Sequence, residues 1–221
     1  MTFLEFNIER QSGNLINVQT GTVLERRVMK RNLLDALTRN RVPINENFDS
    51  LPRDQKLERL FHVLGVEHGY DPDPTYELTT DNVKKIIAIY LRLRCDIPVI
   101  IMGETGCGKT RLIKFMCQLQ CPIGMEVQNM ILMKVHGGTR RTDIIRKVLE
   151  AEKIAQENTA NYGQRLYTVL FFDEANTTEA IGLIKEIMCD RSMEGEPLKL
   201  CQTLKIVAAC NPCRKYVFFY V

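Results

Sequence analysis

The run Ile97-Pro98-Val99-Ile100-Ile101-Met102 feeds directly into Gly103-Glu104-Thr105-Gly106-Cys107-Gly108-Lys109-Thr110. No other feature of the chain narrows its fold as far. The apolar run has the length of a buried strand. The eight residues after it match G-x-x-x-x-G-K-[ST], a turn that works only between a strand and a helix. Its glycines let the backbone curl so that the amides point inward. The helix opening at Lys109 adds partial positive charge at the same place, which makes the turn a cradle for phosphate. Lys109 is placed to bridge outer phosphates as a point charge, and the Thr110 hydroxyl to ligate magnesium. The residues expected to line the cradle are Gly103, Glu104, Thr105, Gly106, Cys107, Gly108, Lys109, Thr110 and the following Arg111.

Downstream the pattern repeats. Strands are expected at 97–102, 131–135, 168–173 and 204–210, with helices at 109–119, 142–158 and 178–189 between them. Apolar strands alternating with helices predict an α/β fold, a parallel sheet with helices on both faces.

Two of those strands end in polar residues. Val169-Leu170-Phe171-Phe172 stops at Asp173-Glu174, and two carboxylates after an apolar strand are costly unless something there uses them. Asp173 suits a magnesium shell and Glu174 suits polarising an attacking water. The plainer alternative is a pair of surface carboxylates capping the helix at 178–189. Ile206-Val207-Ala208-Ala209-Cys210 stops at Asn211-Pro212. An amide there can donate to a γ-phosphate and accept from water without adding charge; Asn-Pro is also a common turn. The candidate catalytic residues are therefore Lys109, Glu174 and Asn211, and the candidate metal ligands Thr110 and Asp173. No Asn-Lys-x-Asp follows, so guanine specificity has no support.

Upstream, residues 3–24 read as a hairpin with turns at Ser12-Gly13-Asn14 and Thr20-Gly21. Residues 23–39 read as an amphipathic helix within the densest basic stretch of the chain, Arg26, Arg27, Lys30, Arg31, Arg39 and Arg41. A solvated face is the plain reading of it, a phosphate-tracking surface the sharper one. A second helix is expected at 53–64, a linker at 65–77 with Gly65, Gly69, Pro72 and Pro74, and a third helix capped by Asp81.

Composition excludes more than it selects. A net charge of +3 over 221 residues is too mild to argue for nucleic acid, and no apolar run approaches membrane-spanning length. The N-terminus lacks a signal-peptide pattern. Eight cysteines in such a chain predict reduced thiols. Cys210-x-x-Cys213 is half of a zinc motif without a second half, and Cys117-x-x-x-Cys121 fits poorly.

Taken together, the three motifs resemble AAA+ ATPases, and Gly-Glu-Thr-Gly-Cys-Gly-Lys-Thr with Cys-Asn-Pro leans toward the dynein- and midasin-like branch. Tyr76 to Val83, Ile97 to Lys114, Lys134 to Thr139, Phe171 to Ala180 and Ala208 to Pro212 resemble more narrowly the mysterin-like giant ubiquitin ligases of that superfamily. The resemblance implies an ATP- and magnesium-dependent AAA+ core at 76–215, and an extension at 1–75 that would be the tail of a preceding module plus linker. It also implies neighbouring AAA modules that supply an arginine finger, a parent with ubiquitin-transfer machinery, and lipid-droplet association within the cytoplasmic location expected of a chain with neither signal peptide nor membrane span.

The end of the chain departs from that pattern. The family order is five-one-four-three-two, and a fifth strand and helical lid are expected where only 213–221 remain, with 216–221 an atypical aromatic tail. The strand 97–102 would then be an open apolar edge, which the tail could patch. Without lid or finger, weak ATP binding and slow turnover are expected. The loop 137–142, with Arg140 and Arg141, is either a pore-type contact loop or a helix-capping loop. The competing functions are an ATPase, a nucleotide-binding structural module with little turnover, and an unrelated P-loop kinase or helicase.

Overall fold

The computed structural model describes residues 4–7, 14–17, 20–26, 30–40 and 48–212. The aromatic tail and Cys213, and with them the patched edge and the second cysteine of the Cys-x-x-Cys pair, lie outside the described residues. Contacts group the chain into a first unit, Met1–Leu51, and a second, Pro52–Val221.

In the first unit β1 (Leu4–Asn7), β2 (Asn14–Asn17) and β3 (Val23–Glu25) form an antiparallel sheet in that order. Ile16 pairs with Glu5 on one side and Val23 on the other. Helix α1 spans Arg31–Arg39 only. The expected helix over 23–39 is thus corrected. Its first residues satisfy their backbone groups on β2, which a helix-spaced apolar pattern does not reveal.

The second unit opens with α2 (Arg53–Leu64), as expected, ended by Gly65 in the left-handed region at φ 69°. Residues 65–77 are no free linker. Arg53 at the start of α2 donates to Asp71 Oδ2 at 2.5 Å, to the Tyr76 carbonyl at 2.7 Å and to the Asp73 carbonyl at 2.8 Å. Tyr76 stacks on Phe115 with centroids 4.3 Å apart. Contacts thus divide the chain after Leu51, upstream of the expected linker. Helix α3 (Thr80–Arg94) is capped by Thr79, whose hydroxyl accepts the Asn82 N–H at 3.2 Å; Asp81, the expected cap, sits in the first turn.

Strand β4 (Val99–Met102) starts two residues later than expected. Ile97 still bonds back to the Arg92 carbonyl at the end of α3, and Pro98 has no N–H to give. The alternation then runs α4 (Lys109–Gln118), β5 (Met130–Lys134), α5 (Arg141–Tyr162) and β6 (Thr168–Asp173). A 3-10 turn (Ala175–Thr177) comes first; the helix expected at 178–189 then starts three residues late, as α6 (Ile181–Lys185), and finishes as a contiguous π turn (Glu186–Asp190). The start is delayed by Thr178, extended at φ −101° with its hydroxyl on the Thr139 carbonyl at 2.7 Å. A small hairpin, β7 (Ser192–Met193) and β8 (Glu196–Pro197), leads to β9 (Leu204–Cys210).

The sheet is parallel in the order β4-β9-β6-β5. Its middle strands are buried on both faces: Thr168 to Phe172 and Leu204 to Ala209 are all buried. Helix α5 lays Ile144, Val148, Ala151 and Ala155 on the face of Leu170 and Phe172. Alternation sends Val169 and Phe171 to the other face, where α4 packs on β6 and β5. Lys205 is the charged exception in β9; its ammonium donates to Asp96 at 2.5 Å and lies 4.9 Å from the Tyr167 ring centroid. Among the described residues β4 has one partner strand, and no helix is long and apolar enough to cross a membrane.

Candidate functional site

The C-terminal ends of β4, β9 and β6 meet, and the chain turns there carry the polar residues. Gly103 continues the ladder, donating to the Cys210 carbonyl at 3.2 Å. The next turn needs its glycines: Gly106 and Gly108 sit at φ 81° and 87°, where a side chain is strained. A Cβ on Gly103 would lie 2.7 Å from Cys107 Sγ, so a side chain there would force Cys107 to move. Helix α4 begins at Lys109 with no side-chain cap, leaving its first amides to the turn.

Lys109 is only 8% exposed. Its Nζ donates to the Gly103 carbonyl at 2.8 Å, the Glu104 carbonyl at 2.9 Å and Asn211 Oδ1 at 3.1 Å, and lies 3.9 Å from Cys107 Sγ. Thr110 Oγ1 donates to Asp173 Oδ2 at 2.8 Å. Asn211 Nδ2 donates to Glu174 Oε1 at 3.1 Å. A cation and two carboxylates thus share one strand end without pairing with each other; among the described residues none of the three forms an ion pair. Each rests on neutral carbonyl, hydroxyl or amide partners. A buried charge such as that of Lys109 is ordinarily paired; the donor set fits a polyanion on Lys109 and a hard cation at the half-buried Asp173 and Thr110.

Glu174 itself is strained, a non-glycine residue at φ 60°. The loop after it is anchored to the end of β5: Thr177 Oγ1 donates to the Val135 carbonyl at 3.1 Å and Thr178 Oγ1 to that of Thr139. The loop 136–141 caps α5, with the Arg140 N–H on Asp143 Oδ2 at 3.1 Å; Arg141 lies 3.6 Å from Glu194.

The structure brings together Lys109, Thr110, Asp173, Glu174 and Asn211. Glu104 and Thr105 are exposed on the turn. Arg111, expected in the cradle, is engaged elsewhere. It donates to Asp73 Oδ2 at 2.7 and 3.1 Å and to the Thr75 hydroxyl, with its Cζ 5.6 Å from the Tyr76 ring centroid. The Thr75 hydroxyl and Arg111 hold the Asp73 carboxyl at about 2. Sequence reasoning missed Asp73 because the Pro/Gly content of 65–77 reads as linker. It also missed Asn176, two residues after Glu174, which bonds both backbone groups of Asn211. Among the described residues no group of three or more His, Cys, Asp or Glu could hold a metal. Cys117 and Cys121 are buried free thiols, and burial pushes Cys121 up to about 11.

A parallel sheet in this strand order, with a glycine turn, a buried lysine and an asparagine at its carboxyl edge, defines a nucleotide-binding module of the AAA+ class. The model of the family described as "RNF213 AAA domain" matches residues 76–214. The chain belongs to that family. It is 53% identical to E3 ubiquitin-protein ligase rnf213-beta of Danio rerio over 224 residues, which is 98% of this chain and 4% of the relative. It is 54% identical to E3 ubiquitin-protein ligase RNF213 of Mus musculus and 52% identical to that of Homo sapiens, each over 219 residues with the same coverage. The chain therefore spans 4% of the length of these relatives. A solved structure of a point mutant of Thermotoga maritima RuvB aligns at a TM-score of 0.36 and 18% identity, over 60% of this chain and 39% of that one.

Proposed function

We propose that the site binds magnesium-ATP and hydrolyses it. The observation that carries this is the separated charge: among the described residues Lys109 has no anion and Asp173 and Glu174 have no cation, and neutral groups hold all three where β4, β9 and β6 end. In this reading the ammonium of Lys109 takes the outer phosphates, and Thr110 with Asp173 holds magnesium, which supplies charge neutralisation at the phosphates. Glu174 is the base that polarises water, and Asn211 senses the γ-phosphate beside it. The Gly103 to Gly108 turn supplies backbone donors, and Arg111 orders the segment 73–76 against α4 just behind Thr110.

The wider role is also a proposal. The relatives are named as E3 ubiquitin-protein ligases, so the chain is read as an AAA module of an RNF213-type ligase. Neighbouring modules would complete the site in trans with an arginine finger, and a cytoplasmic location that includes lipid droplets goes with that parent. A second reading, a nucleotide-binding module with little turnover, is favoured by the contact of Asn211 with Glu174, which keeps the base engaged.

Thermal unfolding tests the binding claim. A ligand at about 100 times its dissociation constant stabilises by about 2.7 kcal/mol. Magnesium-ATP raises the Tm of the chain and leaves that of Lys109→Ala unchanged; equal shifts in both would place the nucleotide elsewhere.

A further inference from the structure

Strands β6 and β9 run side by side, and their last paired residues are Phe172 and Ala208. The chain then leaves the sheet on the β6 side: Glu174 turns at φ 60° and the 3-10 turn Ala175–Thr177 carries it away. Asn211, one residue beyond β9, is left without a strand neighbour on that side. The side chain of Asn176 takes the empty place. Its Nδ2 donates to the Asn211 carbonyl at 2.9 Å, and its Oδ1 accepts the Asn211 N–H at 3.3 Å. A carboxamide carries the same donor and acceptor as a peptide group. The pair therefore reproduces the two-bond exchange of facing residues in an antiparallel ladder.

Asn211 is consequently held at every polar group. Asn176 holds its backbone; Lys109 Nζ and Glu174 Oε1 hold the two ends of its side chain at 3.1 Å each. A free backbone beyond the strand end would let that side chain swing, because Pro212 gives no N–H to fix it. Asn176 also sits two residues from Glu174 on the same short turn. The clamp therefore ties the residue that would sense the γ-phosphate to the loop that carries the base.

We propose that Asn176 is a positioning residue: it docks the Asn211 backbone onto the Glu174 loop, so that sensor and base move as one unit and the site tells ATP from ADP. The role rests on the reading of the site given above. Asn176 acts through Asn211, and no hydrogen bond from it reaches Lys109 or Glu174.

Two measurements on the 221-residue chain test this. The first is hydrogen exchange of the Asn211 amide without nucleotide, in the original chain, Asn176→Ala and Asn176→Gln. One to two neutral hydrogen bonds are worth about tenfold in an opening equilibrium. Asn176→Ala is expected to exchange about tenfold faster, with partial recovery in Asn176→Gln. The second is the ratio of ATP to ADP affinity with magnesium. Asn176→Ala is expected to lower the ratio about tenfold with ADP affinity unchanged, and to lower it no further in an Asn211→Ala background. Unchanged Asn211 exchange overturns the clamp. An unmoved ratio, or an equal fall in the Asn211→Ala background, overturns the positioning role alone. If the original chain binds neither nucleotide, the reading of the site fails and the positioning role fails with it.

Discussion

Thr110 Oγ1 donates to Asp173 Oδ2 at 2.8 Å, joining residues 63 apart in sequence. One lies in the first turn of α4 and the other ends β6, so the contact exists only when β4, β9 and β6 are in register. It also presents a hydroxyl and a carboxylate side by side, the oxygen donors that magnesium prefers with phosphate. Asp173→Asn keeps an oxygen to accept from Thr110 and removes the charge. The expected result is an unchanged fold with magnesium-dependent nucleotide affinity lowered about tenfold or more, read by titrating nucleotide with magnesium and again with EDTA. An unaltered magnesium dependence would remove Asp173 from the metal shell.

The segment behind the site carries its own charge lock. The hydroxyl of Thr75 and the guanidinium of Arg111 hold Asp73 at about 2, below the ordinary value of about 3.9. The folded pKa is lowered, so the lock contributes fully above about pH 4 and is lost as pH falls through about 2. Nuclear magnetic resonance titration of the Asp73 carboxyl checks this, and both Thr75→Ala and Arg111→Ala raise it toward the ordinary range. No movement in either variant would contradict the contacts.

Among the described residues β4 has a partner strand on one side only, and Ile100 and Met102 on it are 58% and 71% exposed, with Ile97 just before it 50% exposed. An unpaired apolar edge templates association. Ile100→Lys is expected to lower self-association in sedimentation at rising concentration and to change stability by no more than about 0.5 kcal/mol. Equal association in both proteins would move the sticky surface elsewhere.

The site is only as rigid as the strands beneath it. Phe172 is fully buried next to Asp173, and Phe172→Ala is expected to cost about 3–5 kcal/mol by denaturant unfolding. A loss under about 1 kcal/mol would mean that the α5 face repacks around the cavity.

Much of this was legible in the residues, and the gaps have physical causes. The apolar runs of β6 and β9 and the Gly-Lys-Thr turn are local signals, and the strands at 168–173 and 204–210 fall where they were expected. The strand order followed from the resemblance, and the sheet shows it with β4 at one edge. Tertiary bonds wrote over local pattern elsewhere. Thr178, extended and bonded across to Thr139, delays the start of one helix, and β2 drew Val23–Glu25 out of another. Arg111 reads as a cradle residue from its position after Thr110, yet Asp73 claims it across 38 residues. Asn176 is one polar residue in a loop, and only the geometry at the end of β9 gives it a task.

Calorimetric titration of magnesium-ATP into the chain, Lys109→Ala and Glu174→Gln tests the central claim most directly. The original chain is expected to bind. Lys109→Ala is expected to weaken binding about 10- to 100-fold through the loss of charge-assisted bonds, and Glu174→Gln to bind within about threefold of the original. A folded chain that binds no nucleotide, or a Lys109→Ala variant that binds as well as the original, would contradict it.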